Sequence, residues 1–197
     1  MEPVSTTAQG LRERFERAER VAMEIPGFRR AAVLVPLLEG PDGIELLFTV
    51  RAATLSKHAG QIAFPGGGME GGEALIEAAL RETEEEVGLR VPPEAVLGVL
   101  SDHPSPAGYV ATPVVARLAW PQPLVLNPIE VADIFTTPLR DLAAIEPRSE
   151  VRQLRDYRRR IYSYPWHGRD IWGFTGNVVK NLLDVLEGRS GDPFDPW

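Results

Sequence analysis

The chain has 197 residues, 44% hydrophobic and 25% charged, with a net charge of −7 and no cysteine. This composition is ordinary for one globular domain that can bury a sizeable core. It excludes disulfides, a thiol nucleophile and a cysteine zinc site, and the acidic balance argues against general nucleic-acid binding, which needs a basic footprint. No apolar run approaches a membrane span, and the opening Met1-Glu2-Pro3-Val4 is acidic and polar, unlike a signal peptide. The expected location is the cytoplasm, and the expected partner is a small molecule, with no nucleic acid and no membrane.

Residues 8–24 place Leu11, Phe15, Ala18, Val21 and Ala22 at helical spacing, and Pro26-Gly27 ends that helix. The apolar run 31–38 predicts a buried strand. Pro41-Asp42-Gly43 predicts a turn and 44–51 a strand that pairs back. Residues 61–64 predict a short strand entering a flexible loop, Gly66-Gly67-Gly68, where backbone can approach a ligand closely. A helix from about Glu73 to Val87 follows, with Ile76, Ala79, Leu80, Thr83 and Val87 as its buried stripe. Gly88 ends it in the left-handed conformation. Strands at 95–100 and 110–118 flank a rigid Pro-rich loop at 102–106. A strand at 130–135, a short helix near 138–144, a strand pair within 150–164 and a last helix at 175–186 complete the order. The basic cluster Arg152, Arg155, Arg158, Arg159 and Arg160 reads as a solvated face of the strand pair or a subunit contact, with a phosphate site as the alternative. Strands followed by single helices on two sides of a mixed sheet predict an α/β/α sandwich.

The chemistry concentrates in the helix after the glycines. Glu82, Glu85 and Glu86 stand at i, i+3 and i+4, so the three carboxylates share one helical face. Like charges at that spacing repel unless a cation lies between them. All-oxygen ligands suit Mg²⁺ or Mn²⁺ better than zinc, and a dication that keeps much of its water commonly works on phosphates. Metal-assisted chemistry on a phosphate compound is the expectation. Arg81, beside the trio, is placed to bond Glu73 or Glu77 and fix the loop.

The wider pattern, Gly67, five residues, Glu73, seven residues, then Arg81-Glu82-x-x-Glu85-Glu86-x-Gly88-Leu89, resembles the Nudix box. Thr83 stands where that box has an aliphatic residue. The resemblance implies a Nudix-type α/β/α sandwich and hydrolysis of a nucleoside diphosphate linked to another group. It assigns Glu82, Glu85, Glu86 and the Gly66 carbonyl to Mg²⁺ or Mn²⁺. Glu73 and Arg81 become the supporting pair, and Glu85, Glu86 or Glu130 the general base. Just upstream, Leu47, Thr49, Arg51, Ala52, Gly60, Phe64, Pro65, Gly66 and Gly67 look like the signature of the coenzyme A pyrophosphatase branch. Phe48 and Ser56 depart from it, standing where it has leucine and arginine. This likeness implies cleavage of coenzyme A or a derivative to 3′,5′-ADP and 4′-phosphopantetheine, with Arg51, Lys57 and His58 meeting substrate phosphates. Tyr109, Trp166 and Trp172 are candidates to stack on adenine. The alternatives are another nucleoside diphosphate derivative, such as ADP-ribose or a dinucleotide, or a non-catalytic nucleotide sensor. The expected organisation is an N-terminal helix within 1–28 packing on the domain, a single Nudix domain at 29–190 and a tail at 191–197. A homodimer is open to the fold by analogy.

Overall fold

A computed structural model describes residues 8–53, 60–154 and 157–189. The run from 31 to 38 is buried throughout and forms the middle of β1 (Arg29–Gly40). Such a run marks a strand covered on both faces. β2 (Gly43–Arg51) returns antiparallel from a tight turn, with Gly43 at φ +113°. β3 (Ile62–Ala63) pairs with β2, and β4 (Gly66–Gly68) pairs with β1. β5 (Val96–Val99) and β6 (His103–Ser105) both pair with β7 (Tyr109–Ala119), and β7 lies parallel to β1 along its whole length. β8 (Val131–Pro138) closes the other side of β2. The result among the described residues is an eight-stranded mixed sheet with the spine β3-β2-β1-β7-β5. A second, three-stranded antiparallel sheet comprises β9 (Arg148–Leu154), β10 (Tyr157–Trp166) and β11 (Arg169–Trp172).

Side chains alternating along β1 build two cores. Ala32, Leu34 and Leu38 face α2 (Leu75–Val87), meeting Ala78, Ala79 and Val87. Val33, Val35 and Leu37 belong to the opposite core. That core holds Leu11 and Phe15 of α1 (Ala8–Arg17), Leu142 of α3 (Leu139–Ala144), Val178, Val179 and Leu182 of α4 (Gly173–Leu186), and Tyr164 and Ile171 of the second sheet. Period-two alternation on the central strand therefore produces the α/β/α layering expected from the order of elements.

Five local expectations are corrected. The Pro-rich run at 102–106 is not a loop throughout but carries β6, laddered to β7. The N-terminal helix stops at Arg17 rather than running to residue 24. Beyond it the backbone finds partners elsewhere: Val21 N–H donates to Ser101 Oγ and Met23 N–H to Asp102 Oδ2, while Val21 O accepts from Asp102 N–H. Ile76 is 37% exposed, and Ala78 takes the buried position on α2. The three glycines are strand, held by the ladder to β1, rather than a flexible loop. In the basic cluster Arg159 is 2% exposed instead of solvated. Gly88 ends α2 at φ +69°, ψ 8°, as its left-handed terminator. Among the described residues no helix is long and apolar enough to cross a membrane.

Candidate active site

The site begins where β4 threads between β1 and α2. A Cβ on Gly66, at φ +149°, would lie 2.4 Å from Ala32 O, and one on Gly67 would lie 2.5 Å from the Glu82 carboxylate. Only glycine lets this strand pass so close to both neighbours. Gly66 N–H donates to Glu86 Oε2 at 3.1 Å. The first carboxylate and the last of the trio thus rest directly on the glycine backbone.

Arg81 chooses Glu73 over Glu77. Its Nε and Nη2 donate to the two Glu73 oxygens at 3.1 and 2.9 Å, a bidentate pair that fixes both planes. Nη2 also reaches Gly68 O and Glu82 Oε1, and Nη1 reaches Glu85 Oε2 at 3.2 Å. Glu73 in turn accepts from Glu70 N–H at 2.7 Å. The Arg81 hydrogen bond holds the Glu73 carboxyl below its ordinary range, assisted by that N–H. Glu77, excluded from Arg81, accepts from Ala74 N–H at the start of α2.

The trio does not converge. Among the described residues no three acidic or histidine side chains gather as a ready metal cluster. Glu85 is turned out to Arg81 with its side chain 58% exposed, whereas Glu86 is 4% exposed. Their partners account for the spread: Gly66 N–H holds Glu86 inside, while Arg81 engages Glu85 at the surface. Burial raises the Glu82 carboxyl, with Glu85 and Glu130 adding to it against Arg81. Burial likewise pushes Glu86 up to about 7, opposed by Gly66 N–H and Arg51 and reinforced by Glu130 and Glu82. Glu130 arrives on a loop whose backbone docks on α2, with Asn127 N–H on Glu86 O and Val125 N–H on Val87 O. Buried carboxylates that destabilise one another's charge, all hard oxygen donors, fit a Mg²⁺ or Mn²⁺ ion.

β4 lines one side of a cleft of about 420 Å³. Arg51, Ile62 and Phe64 continue that side, while Arg152, Arg159, Ile161, Trp172 and Phe174 line it from the second sheet and the start of α4. Arg51 Nε is buried with no hydrogen-bond acceptor among the described residues. Arg159 donates to Pro104 O at 2.9 Å and meets His103 Nδ1, which clamps the β6 wall of the cleft. Burial, then the Arg159 charge, holds His103 well below the usual imidazole range, so the ring is neutral. Of the aromatic candidates, Tyr109 and Trp172 line the cleft, whereas Trp166 stacks on Phe135 at 6.2 Å and is not among the lining residues. The candidate phosphate contacts Lys57 and His58 lie outside the described residues. Arg152 and Arg159 of the basic cluster thus line the cleft, as the phosphate-site alternative for that cluster allows, whereas Ile161 has no site expectation from the sequence. The period-two spacing of Arg159 and Ile161 on one strand is the signal that puts them on the same face.

The fold and site together define a class: an α/β sandwich carrying an acidic helix and a glycine strand at the edge of a cleft, suited to a divalent cation and a phosphate ligand. The chain belongs to the NUDIX family, whose domain description matches residues 28–163. Over 161 residues it is 40% identical to a Nudix hydrolase of Photorhabdus laumondii named NudL, covering 81% of this chain and 86% of that one. The NudL of Cronobacter sakazakii is 42% identical over 160 residues, covering 78% and 81%. Among solved structures, a MutT/nudix family protein from Enterococcus faecalis superposes with a TM-score of 0.52 at 16% identity, over 86% of this chain and 64% of that one; this likeness concerns the fold alone. Nudix hydrolases act on pyrophosphate bonds of nucleoside diphosphate derivatives and generally use divalent ions such as Mg²⁺ or Mn²⁺.

The two glycines separate fold from site. Gly67→Ala collides only with the end of the flexible Glu82 side chain, which can swing away. Its expected cost is about 1 kcal/mol or less in stability, with turnover down by about tenfold or more as Glu82 leaves its place. Gly66→Ala collides with backbone at positive φ and should cost on the order of 3 kcal/mol. Thermal melts beside steady-state rates check the contrast.

Proposed function

We propose that the protein hydrolyses coenzyme A or a derivative, releasing 3′,5′-ADP and 4′-phosphopantetheine. The observation that carries the reading is the pair of carboxylates Glu82 and Glu86 packed behind Gly66 and Gly67, the strand that lines the cleft, while Arg51, also lining it, acts on the Glu86 charge and has a buried guanidinium nitrogen with no acceptor among the described residues. A divalent cation beside the carboxylates and a phosphate oxygen at Arg51 would satisfy both. In this reading Glu82, Glu85, Glu86 and the Gly66 carbonyl would hold Mg²⁺ or Mn²⁺, which would supply charge to neutralise pyrophosphate oxygens and to acidify water. Arg51 binds a pyrophosphate oxygen. Glu73 and Arg81 hold the loop that presents the ligands. Glu85, Glu86 or Glu130 takes the proton of the attacking water, whose oxygen bonds to one phosphorus as the bridging P–O bond breaks. Two phosphomonoesters leave.

Support for coenzyme A over other nucleotides comes from the residues matching its branch, Leu47 through Gly67, and from the cleft. Ile161, Trp172 and Phe174 offer apolar walls for a ring and a pantetheine arm, with Arg152 and Arg159 near them for charge. The test is incubation of the pure protein with coenzyme A, ADP-ribose and NADH in Mg²⁺ or Mn²⁺. Release of 3′,5′-ADP well above the other cleavages is expected. A clear preference for ADP-ribose would replace this reading with that of another Nudix hydrolase. Binding of nucleotide with no cleavage at all would make the protein a sensor.

A further inference from the structure

Trp172 is 40% exposed, although it borders the cleft rather than the outer surface alone. A large apolar ring left open beside a cavity has hydrophobic surface still to cover. The other rings of this cleft are already engaged. Arg29 covers Tyr109 at 4.4 Å from its centroid, and Phe174 meets the edge of His103 at 5.9 Å. Arg152 lies more loosely over Trp172, at 5.4 Å, and is itself anchored to Glu150 by its Nε at 2.6 Å. The backbone that carries the indole is fixed: β11 ends at Trp172, paired with Ser163, and α4 starts at Gly173. Thr175 Oγ1 then donates to Ile62 O, tying the start of α4 to the strand that leads into the glycines. Trp172 itself and the start of α4 lie beyond residue 163, where the family match ends, while Arg152 lies within it.

We infer that Trp172, with Arg152 beside it, is the stacking surface that receives the nucleobase of the ligand. An indole offers a π-face to any base, and a neighbouring guanidinium adds a planar cationic partner. That the ring is a nucleobase rests on the function proposed above. The stacking site itself rests on geometry alone. Trp172 sets affinity for the base.

The experiment is calorimetric titration of the full chain with adenosine 5′-monophosphate and, in parallel, ribose 5-phosphate, which lacks the base. The wild type should bind the nucleotide at least about tenfold more tightly than the sugar phosphate. Trp172→Ala should erase that difference, with ribose 5-phosphate affinity unchanged. Trp172→Phe should retain it within about threefold, because the π-face remains. Trp172→Leu, which keeps an apolar side chain, should fail as Ala does, and it serves if the alanine variant does not fold. The inference is overturned if the nucleotide binds Trp172→Leu as well as it binds wild type, if both probes weaken together, or if wild type does not distinguish them. No turnover is read, so failure to cleave coenzyme A would sink the proposed function and leave this result standing.

Discussion

Replacing Glu86 with Gln is expected to lower turnover of the nucleoside diphosphate substrate by about 10²-fold or more, with the fold intact. The side chain is 4% exposed and accepts from Gly66 N–H, a bond the amide oxygen of glutamine can also accept. What the substitution removes is charge. Without metal that charge is a burden, since burial and the nearby Glu130 and Glu82 all disfavour it. The metal-free variant should therefore melt no lower than the wild type. Saturating Mn²⁺ or Mg²⁺ should raise the wild-type melting temperature through binding linkage and raise that of Glu86→Gln much less. Steady-state rates and paired melts with and without metal check all three statements. Unchanged turnover would remove Glu86 from the machinery, and a collapsed melting temperature would reassign its role to folding. Glu85→Gln is the internal contrast, because Glu85 is more exposed and engages Arg81 rather than the glycine strand.

Which features could be read in advance follows from where their information lies. β1 announces itself through an unbroken apolar run, and α2 through periodicity closed by Gly88, so both were legible from a few neighbouring residues. The Glu73–Arg81 pair was legible to within two partners, because eight residues of helix and turn set its reach. Other features depend on residues far away in the chain. α1 ends early because Ser101 and Asp102, some 80 positions on, offer better partners to the backbone at Val21 and Met23. Three consecutive glycines carry no side-chain pattern, so the strand character of β4 comes wholly from its ladder to β1. Arg159 looks like surface charge in sequence, yet Pro104 O and His103 receive it inside. The spread of the acidic trio is a further case. Spacing puts the three carboxylates on one helical edge, whereas their exposure differs because β4 covers Glu82 and Glu86 and leaves Glu85 to Arg81.

Asp102 is the position where a single substitution should cost most stability. It is fully buried between β5 and β6 and accepts four hydrogen bonds. Arg20 Nη2 and Thr112 Oγ1 donate to Oδ1 at 3.0 and 2.6 Å, and Met23 N–H and Arg30 Nη1 donate to Oδ2 at 2.9 and 3.0 Å. This carboxylate ties the segment after α1 to the central sheet. It also reaches the site, since Arg30 O accepts from Met69 N–H immediately after the glycine strand. Asp102→Ala leaves two guanidiniums, a hydroxyl and an amide around an empty acceptor, at a cost of roughly 3–5 kcal/mol, or about 10 °C in melting temperature for a chain of this size. Burial alone would raise the Asp102 carboxyl, but the bonds from Arg30, Thr112, Met23 and Arg20 outweigh it and hold it below its ordinary value of 3.8. A depressed carboxyl binds fewer protons in the folded state. Its stabilisation is therefore fully present above the unfolded value, near pH 4, and is lost as pH falls through the folded one. Asp102→Asn, which cannot ionise, should start less stable at neutral pH and lose less on acidification. Its unfolding free energy and that of the wild type should draw together below about pH 4. Urea melts between pH 7 and pH 3 measure that convergence, and parallel curves across the range would show that Asp102 is not the acid-sensitive tie.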